Sequence, residues 1–146
     1  MIPISDRNPT RRLPIMNLTL IAINVVVFLF ELTMRSRALD RFIMTWGTVP
    51  NNLLFALAHP TSAPLSIWAT LITSQFLHAG WAHIIGNMLF LWVFGDNVED
   101  ILGSLSYLIF YLASGIAAGI TQAVIVGPST IPSIGASGAI AGVLGA

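Results

Sequence analysis

The stretch FLHAGWAHIIGNMLFLWVF, residues 76–94, decides the fold of this chain. It is apolar along most of its length, and residues 81–94 are the predicted membrane-spanning part, with the preceding residues leading into it. His83 and Asn87 interrupt this part four residues apart, so they project from one face of a helix. Such polar groups are costly at membrane depth and usually face a cavity or a partner helix. The stretch therefore predicts a transmembrane helix with one polar face.

The composition of the whole chain also indicates a membrane protein. Charged residues make up 8% of the 146 residues and hydrophobic residues 55%, with a mean hydropathy of +0.84, whereas a typical soluble domain is about 25% charged. There is no cysteine, which excludes disulfides and thiolate metal sites. The net charge of zero argues against a nucleic-acid partner. Arginines flank the first apolar run almost equally, at positions 7, 11 and 12 and at 35, 37 and 41, so charge alone does not set the orientation.

Hydropathy divides the chain into a polar tail, residues 1–14, and a membrane domain, residues 15–146. Residues 15–34 are long enough to cross about 30 Å of hydrocarbon, and a retained span is preferred to a cleaved signal peptide because no small-x-small site follows. Residues 104–126 form another span, whose Gly115 and Gly119 allow close helix packing. The next span begins near Ser133 or Ser137. We predict an all-α, polytopic transmembrane helical bundle with about three full spans and the start of a fourth.

Two further segments carry local predictions. Residues 35–66 form a long amphipathic connection, in which residues 39–46 and 51–58 are predicted short helices lying in the membrane interface. The polar run from Gly95 to Asp100 is predicted to mark the interface after the span at 81–94. On the first span Asn17 and Asn24 are seven residues apart, and we expect both to make interhelical hydrogen bonds.

A serine between glycines, in Gly135-Ala136-Ser137-Gly138, opens the last apolar segment. Glycines remove Cβ bulk, so a substrate backbone can come close to the hydroxyl. The α/β-hydrolase elbow would need glycine where Ala139 stands, and helix packing alone also explains such small residues. A zinc site from the three histidines at 59, 78 and 83 is disfavoured, because their spacing matches no zinc motif and no carboxylate neighbours them.

In combination, three segments between residues 70 and 146 resemble the rhomboid family of intramembrane serine proteases. His78, His83 and Asn87 match its H-x(4)-H-x(3)-N pattern. A G-x(3)-E-x(3)-G pattern follows at residues 95–103, and Gly135-Ala136-Ser137-Gly138 matches the nucleophile segment. Because their order and separations also fit, the combination is far more specific than each motif alone.

The resemblance implies the roles of the site residues. Ser137 would be the nucleophile, and His83, Asn87 and the Ser137 N–H would stabilise the oxyanion. Gly95 and Glu99 would be structural, and His78 would be structural or would order the loop at the mouth of the site. The partners would be transmembrane protein substrates and the lipid bilayer, with no metal, cofactor or nucleic acid. The protein would be an integral, multi-pass protein of the cell or inner membrane, with a cytoplasmic amino terminus and Ser137 toward the outer side.

Two features depart from the family pattern. The loop at 35–66 lacks a Trp-Arg pair, since Trp46 is followed by Gly47. The family's general base is a histidine on a later helix, whereas all three histidines here precede Ser137. We therefore expect the chain to be a fragment, an incomplete rhomboid-like domain that is inactive alone. Two alternatives remain: a catalytically inactive rhomboid-like binding protein for transmembrane clients, and a small transporter or channel subunit.

Overall fold

A computed structural model describes residues 13–146 of the chain, and within this part the secondary structure is helical. The α-helices are α1 (Ile15–Leu32), α2 (Ser36–Trp46), α3 (Pro50–Ala58), α4 (Leu65–Thr73), α5 (Trp81–Leu102), α6 (Ser104–Val126) and α7 (Ser137–Leu144), with one 3-10 turn at Ser74–Phe76. The predicted tail falls almost wholly on residues 1–12, outside the described residues, as do Arg7, Arg11 and Arg12. The division at residue 15 stays a prediction.

Two helices, α1 and α6, are long and apolar enough to cross a membrane by themselves. A third span forms if α4 and the 3-10 turn are taken together with α5, although the two parts are bent by 82°. The all-α transmembrane bundle with about three spans is therefore confirmed, and the start of a fourth span corresponds to α7. The bounds of α6 match the predicted span.

Helix α5 extends beyond the predicted end of its span, because it continues through the polar run to Leu102. The reason is Glu99, which is 3% exposed and faces the bundle. Its carboxylate accepts the main-chain N–H groups of Met16 (3.0 Å) and Asn17 (2.7 Å) at the start of α1, and the Ser104 hydroxyl (2.5 Å). A carboxylate at the amino terminus of a helix satisfies donors that the helix itself leaves unpaired. The polar run thus joins helices rather than leaving the bundle.

The two asparagines of α1 behave differently. Asn17 makes the expected interhelical hydrogen bonds, since its amide donates to the Leu91 carbonyl on α5 (3.0 Å) and accepts from the Tyr107 hydroxyl on α6 (2.8 Å). Asn24 donates to the Leu20 carbonyl of its own helix (2.8 Å), and its side chain also interacts with the Tyr111 hydroxyl of α6. Both asparagines therefore face a tyrosine of α6.

Small residues bring α6 against its neighbours. A Cβ added at Gly138 or Gly142 of α7 would overlap Ala118 or Ser114 of α6. On the other flank, Gly115 faces the Gln75 side chain, and a Cβ at Gly119 would lie 3.1 Å from Leu71. The predicted close approach at Gly115 and Gly119 is confirmed, and it holds the 3-10 turn and α7 on either side of α6.

The connection between α1 and α4 contains the two predicted short helices. Helix α2 begins three residues earlier than predicted and has no buried residue, with Trp46 exposed at its end. Helix α3 buries Pro50, Leu53 and Ala56 and packs on α6 and α4. The main core lies between α1, α5, α6 and α7, and it holds the first turn of α7 in place; its buried members are Leu20, Leu91, Tyr107, Tyr111, Ala136, Ala139, Ile140 and Val143.

Candidate active site

Ser137 is the first residue of α7, and its side chain is exposed. Its neighbours Ala136 and Ala139 are fully buried in the core and fix the start of the helix. The first N–H groups of a helix have no acceptor within that helix, and the helix dipole makes this end favourable for negative charge. The fold therefore presents a hydroxyl beside main-chain donors.

The segment before Ser137 is held by the connection between α2 and α3 and by the 3-10 turn after α4. Thr48 and Ser133 exchange two main-chain hydrogen bonds, of 3.1 and 2.8 Å. The Gly135 N–H donates to the Ser74 carbonyl (2.8 Å), and the Thr48 hydroxyl donates to Ser74 Oγ (3.0 Å). No motif in the sequence marks Thr48 or Ser74 as residues of the site, because their contacts with this segment join positions far apart in the chain.

Gly135 brings the glycine-rich segment against α5. Its φ is +117°, a conformation that side chains with a Cβ rarely adopt. A Cβ at this position would lie 2.5 Å from His83 Nε2 and 3.7 Å from Asn87 Nδ2. Both predicted polar residues of α5 therefore face the backbone two residues before Ser137, which requires glycine at position 135 for steric as well as conformational reasons.

His83 and Ser137 line one open cavity of about 480 Å³. The Ala79 N–H approaches His83 Nδ1 at 3.4 Å, so Nδ1 acts as the acceptor. In a neutral imidazole the proton then resides on Nε2. Since Nε2 is the atom nearest to Gly135, the ring presents an N–H donor on the side of the serine segment.

The cavity walls are polar on one side and small on the other. Hydroxyl and amide groups of Thr48, Ser74, Gln75 and Gln122 contribute to the lining, and Gly115, Ala118 and Gly119 leave room along α6. The lining contains no charged side chain. The polar groups of the lining can form hydrogen bonds with water.

His78 lies in the turn between Phe76 and Trp81, just before α5. Its Nε2 is 3.0 Å from Asn87 Nδ2, and its ring centroid is 5.1 Å from that of His83, because the turn folds back over the helix. The sequence analysis also missed Glu31, a buried residue on α1 whose carboxylate accepts the His78 N–H at 3.3 Å.

The third histidine lies away from this cluster. His59 follows α3, where its ring stacks on Phe55 at 4.8 Å and Nδ1 is 3.2 Å from the Phe55 carbonyl. Within residues 13–146, no group of three or more histidine, cysteine, aspartate or glutamate side chains is arranged to hold a metal ion.

Comparison with known proteins places the chain in a family. The rhomboid domain matches residues 65–146, more than half of the chain. Rhomboid protease GluP of Bacillus subtilis is 48% identical over 79 residues, covering 54% of this chain and 15% of that protein. Rhomboid-like protein 11, chloroplastic, of Arabidopsis thaliana is 36% identical over 75 residues, covering 51% and 26%. Rhomboid protein 1, mitochondrial, of Saccharomyces cerevisiae is 33% identical over 129 residues, covering 67% and 36%.

The chain therefore belongs to the rhomboid family, whose members are integral, multi-pass membrane proteins. It spans between 15% and 36% of the length of these three relatives. No solved structure matches the chain. One of the three relatives is named a protease and the other two are named only as rhomboid proteins, so these comparisons establish the family of this chain and not its activity.

Proposed function

We propose that this protein is an intramembrane serine endopeptidase that hydrolyses peptide bonds of membrane-anchored protein substrates. The observation that carries the proposal is the shared cavity of Ser137 and His83, with Ser137 on the first turn of α7 and the His83 Nε2–H beside Gly135. A nucleophile and its oxyanion donors must both lie close to the carbonyl group that reacts. The fold brings these two residues to one cavity although their helices are far apart in the sequence.

In the proposed reaction, Ser137 Oγ attacks the carbonyl carbon of the scissile bond. The carbonyl oxygen becomes negative, and donors from His83, Asn87 and the Ser137 N–H stabilise that charge. The carbon–nitrogen bond then breaks, and the amine leaves with the proton that a general base has taken from Ser137 Oγ. Water attacks the acyl-enzyme, which releases the new carboxyl group and returns a proton to Ser137 Oγ. One preorganised donor contributes on the order of a hundred- to a thousand-fold to such a reaction.

The attack requires a general base, because a serine hydroxyl is a weak nucleophile without one. We assign this role to no residue of the described part: His83 directs its protonated nitrogen toward Gly135, His78 faces Asn87, and His59 lies after α3. A second candidate function is that of a rhomboid protein that binds transmembrane clients without cutting them, and the reporter experiment below distinguishes the two.

Hydrolysis inside a membrane also requires water, which the hydrocarbon excludes. Helices allow a polar cavity at that depth because their backbone groups are already paired. The hydroxyl and amide groups of Thr48, Ser74 and Gln122 provide hydrogen-bond partners for water along one wall of the cavity. The cavity can therefore hold the water that the reaction consumes, and the small residues along α6 leave room for an extended substrate backbone.

The proposal is tested by Ser137→Ala in the protein expressed from its complete reading frame, with a single-span transmembrane reporter in liposomes. We expect the wild type to cleave the reporter and Ser137→Ala to abolish cleavage. Ser106→Ala is the matched control, since Ser106 is an exposed serine on α6. Cleavage retained in Ser137→Ala would remove Ser137 from its role. A wild-type protein that binds the reporter without cutting it would favour the client-binding function.

A further inference from the structure

Three buried polar side chains form a row that ends at Asn87, one of the proposed oxyanion donors. Glu31 is on α1, His78 is in the turn before α5, and Asn87 is on α5; they are 2%, 3% and 8% exposed. Glu31 Oε2 is 3.3 Å from the His78 main-chain nitrogen, and His78 Nε2 is 3.0 Å from Asn87 Nδ2. Burying polar groups is costly unless they are hydrogen-bonded, and these contacts connect three separate segments.

The contact between His78 and Asn87 determines where the protons are. An amide nitrogen only donates, so His78 Nε2 accepts, and in a neutral ring the proton is on Nδ1. One N–H of Asn87 is thereby engaged, and the second remains available. Since Asn87 Nδ2 would lie 3.7 Å from a Cβ on Gly135, the amide is held beside the serine segment with its donor side, not its oxygen, toward His78.

Glu31 contacts His78 at its main chain, because Glu31 Oε2 accepts the His78 N–H at 3.3 Å. The His78 ring is held separately, since it interacts with the main chain of Phe76 in the same turn and with the Asn87 amide. Glu31 therefore fixes the turn that carries the ring rather than a nitrogen of the ring itself.

We propose that Glu31 is a positioning residue that acts through His78 to orient the Asn87 amide toward the developing oxyanion. This inference rests on the proposed protease function. By accepting the His78 N–H, Glu31 holds the turn in the position where His78 Nε2 is 3.0 Å from Asn87 Nδ2. If the turn moved, Nε2 would no longer accept from the amide, and Asn87 would lose the contact that fixes its donor side.

The kinetic test measures kcat and KM for Glu31→Leu, Asn87→Ala and the double variant in the protein expressed from its complete reading frame. We expect Glu31→Leu to lower kcat on the order of 10- to 100-fold, as removal of a supporting partner does at other sites, with KM little changed. Asn87→Ala lowers kcat, and adding Glu31→Leu to it has no further effect, because Glu31 acts only through Asn87.

Conservative and matched variants separate positioning from stability. Glu31→Gln keeps an acceptor and restores most of kcat. Asn24→Leu is the matched control, since Asn24 is also buried on α1 but bonds within its own helix; it leaves kcat per folded protein unchanged. If Glu31→Leu does not fold, His78→Phe is used in its place, because it removes the acceptor for the Asn87 amide. The double variant is then His78→Phe with Asn87→Ala. An unchanged kcat, or a loss that multiplies with that of Asn87→Ala, overturns the proposal.

A second measurement does not depend on turnover. ¹⁵N NMR of His78 in bilayers is expected to show a protonated Nδ1 and an unprotonated Nε2, and Glu31→Leu is expected to weaken the hydrogen bond between Nε2 and Asn87, which is measured as a change in the Nε2 chemical shift. The opposite tautomer in the wild type overturns the positioning role. Cleavage retained in Ser137→Ala would instead overturn the protease function, so the two failures are distinguishable.

Discussion

Gly135→Ala isolates the contact between the serine segment and α5. The new Cβ would lie 2.5 Å from His83 Nε2 and 2.6 Å from His83 Cε1, whereas ordinary contacts begin at 3.4 Å. The ring would therefore have to move by about 1 Å, a displacement that can cost on the order of 100-fold in rate when it affects a positioned group. This corresponds to about 2.7 kcal/mol of transition-state stabilisation.

The same substitution also strains the backbone. A φ of +117° is unfavourable for alanine, and such strained residues cost on the order of 1–3 kcal/mol. Gly127→Ala is the matched control, because Gly127 has a φ of +72° and nothing within 4 Å of an added Cβ. It incurs the backbone strain without the collision with His83.

The assay combines reporter cleavage in liposomes with thermal unfolding in detergent, both in the protein expressed from its complete reading frame. We expect both variants to lower the unfolding temperature. Only Gly135→Ala is expected to lower kcat per folded protein by about two orders of magnitude. Equal kcat for the two variants would refute the argument that His83 must stay beside Gly135.

Two further predictions concern the bundle. Glu99→Leu removes the acceptor for the Met16 and Asn17 N–H groups. We expect a loss of about 2–5 kcal/mol of unfolding free energy, since each buried unpaired donor costs about 1–3 kcal/mol. Chemical unfolding in mixed micelles measures this loss, and a value below about 1 kcal/mol contradicts the prediction. Gly142→Ala would overlap Ser114 and cost about 1–3 kcal/mol by overpacking. Ser114→Gly in the same chain should restore thermal stability, and no rescue would show that the collision is not the cause.

Much of the fold followed from the sequence because hydropathy is a local property. The apolar run at 104–126 predicted α6 with its bounds, and the amphipathic loop predicted α2 and α3 within a few residues. The continuation of α5 past residue 94 did not follow from the sequence, because it depends on Glu99, whose partners are remote in the chain. Its burial depends on the amino terminus of α1, some 80 residues earlier, and no local pattern records that contact.

The site divides in the same way. Spacing alone put His83 and Asn87 on one face of a helix, and the glycines singled out Ser137, because both are local patterns. Only the tertiary structure brought His83 beside Gly135, turned His78 back onto Asn87 and buried Glu31 behind them. These contacts depend on how α1, α5 and α7 pack. Helix packing is set by complementary surfaces across the whole bundle, which a sequence read one segment at a time does not contain.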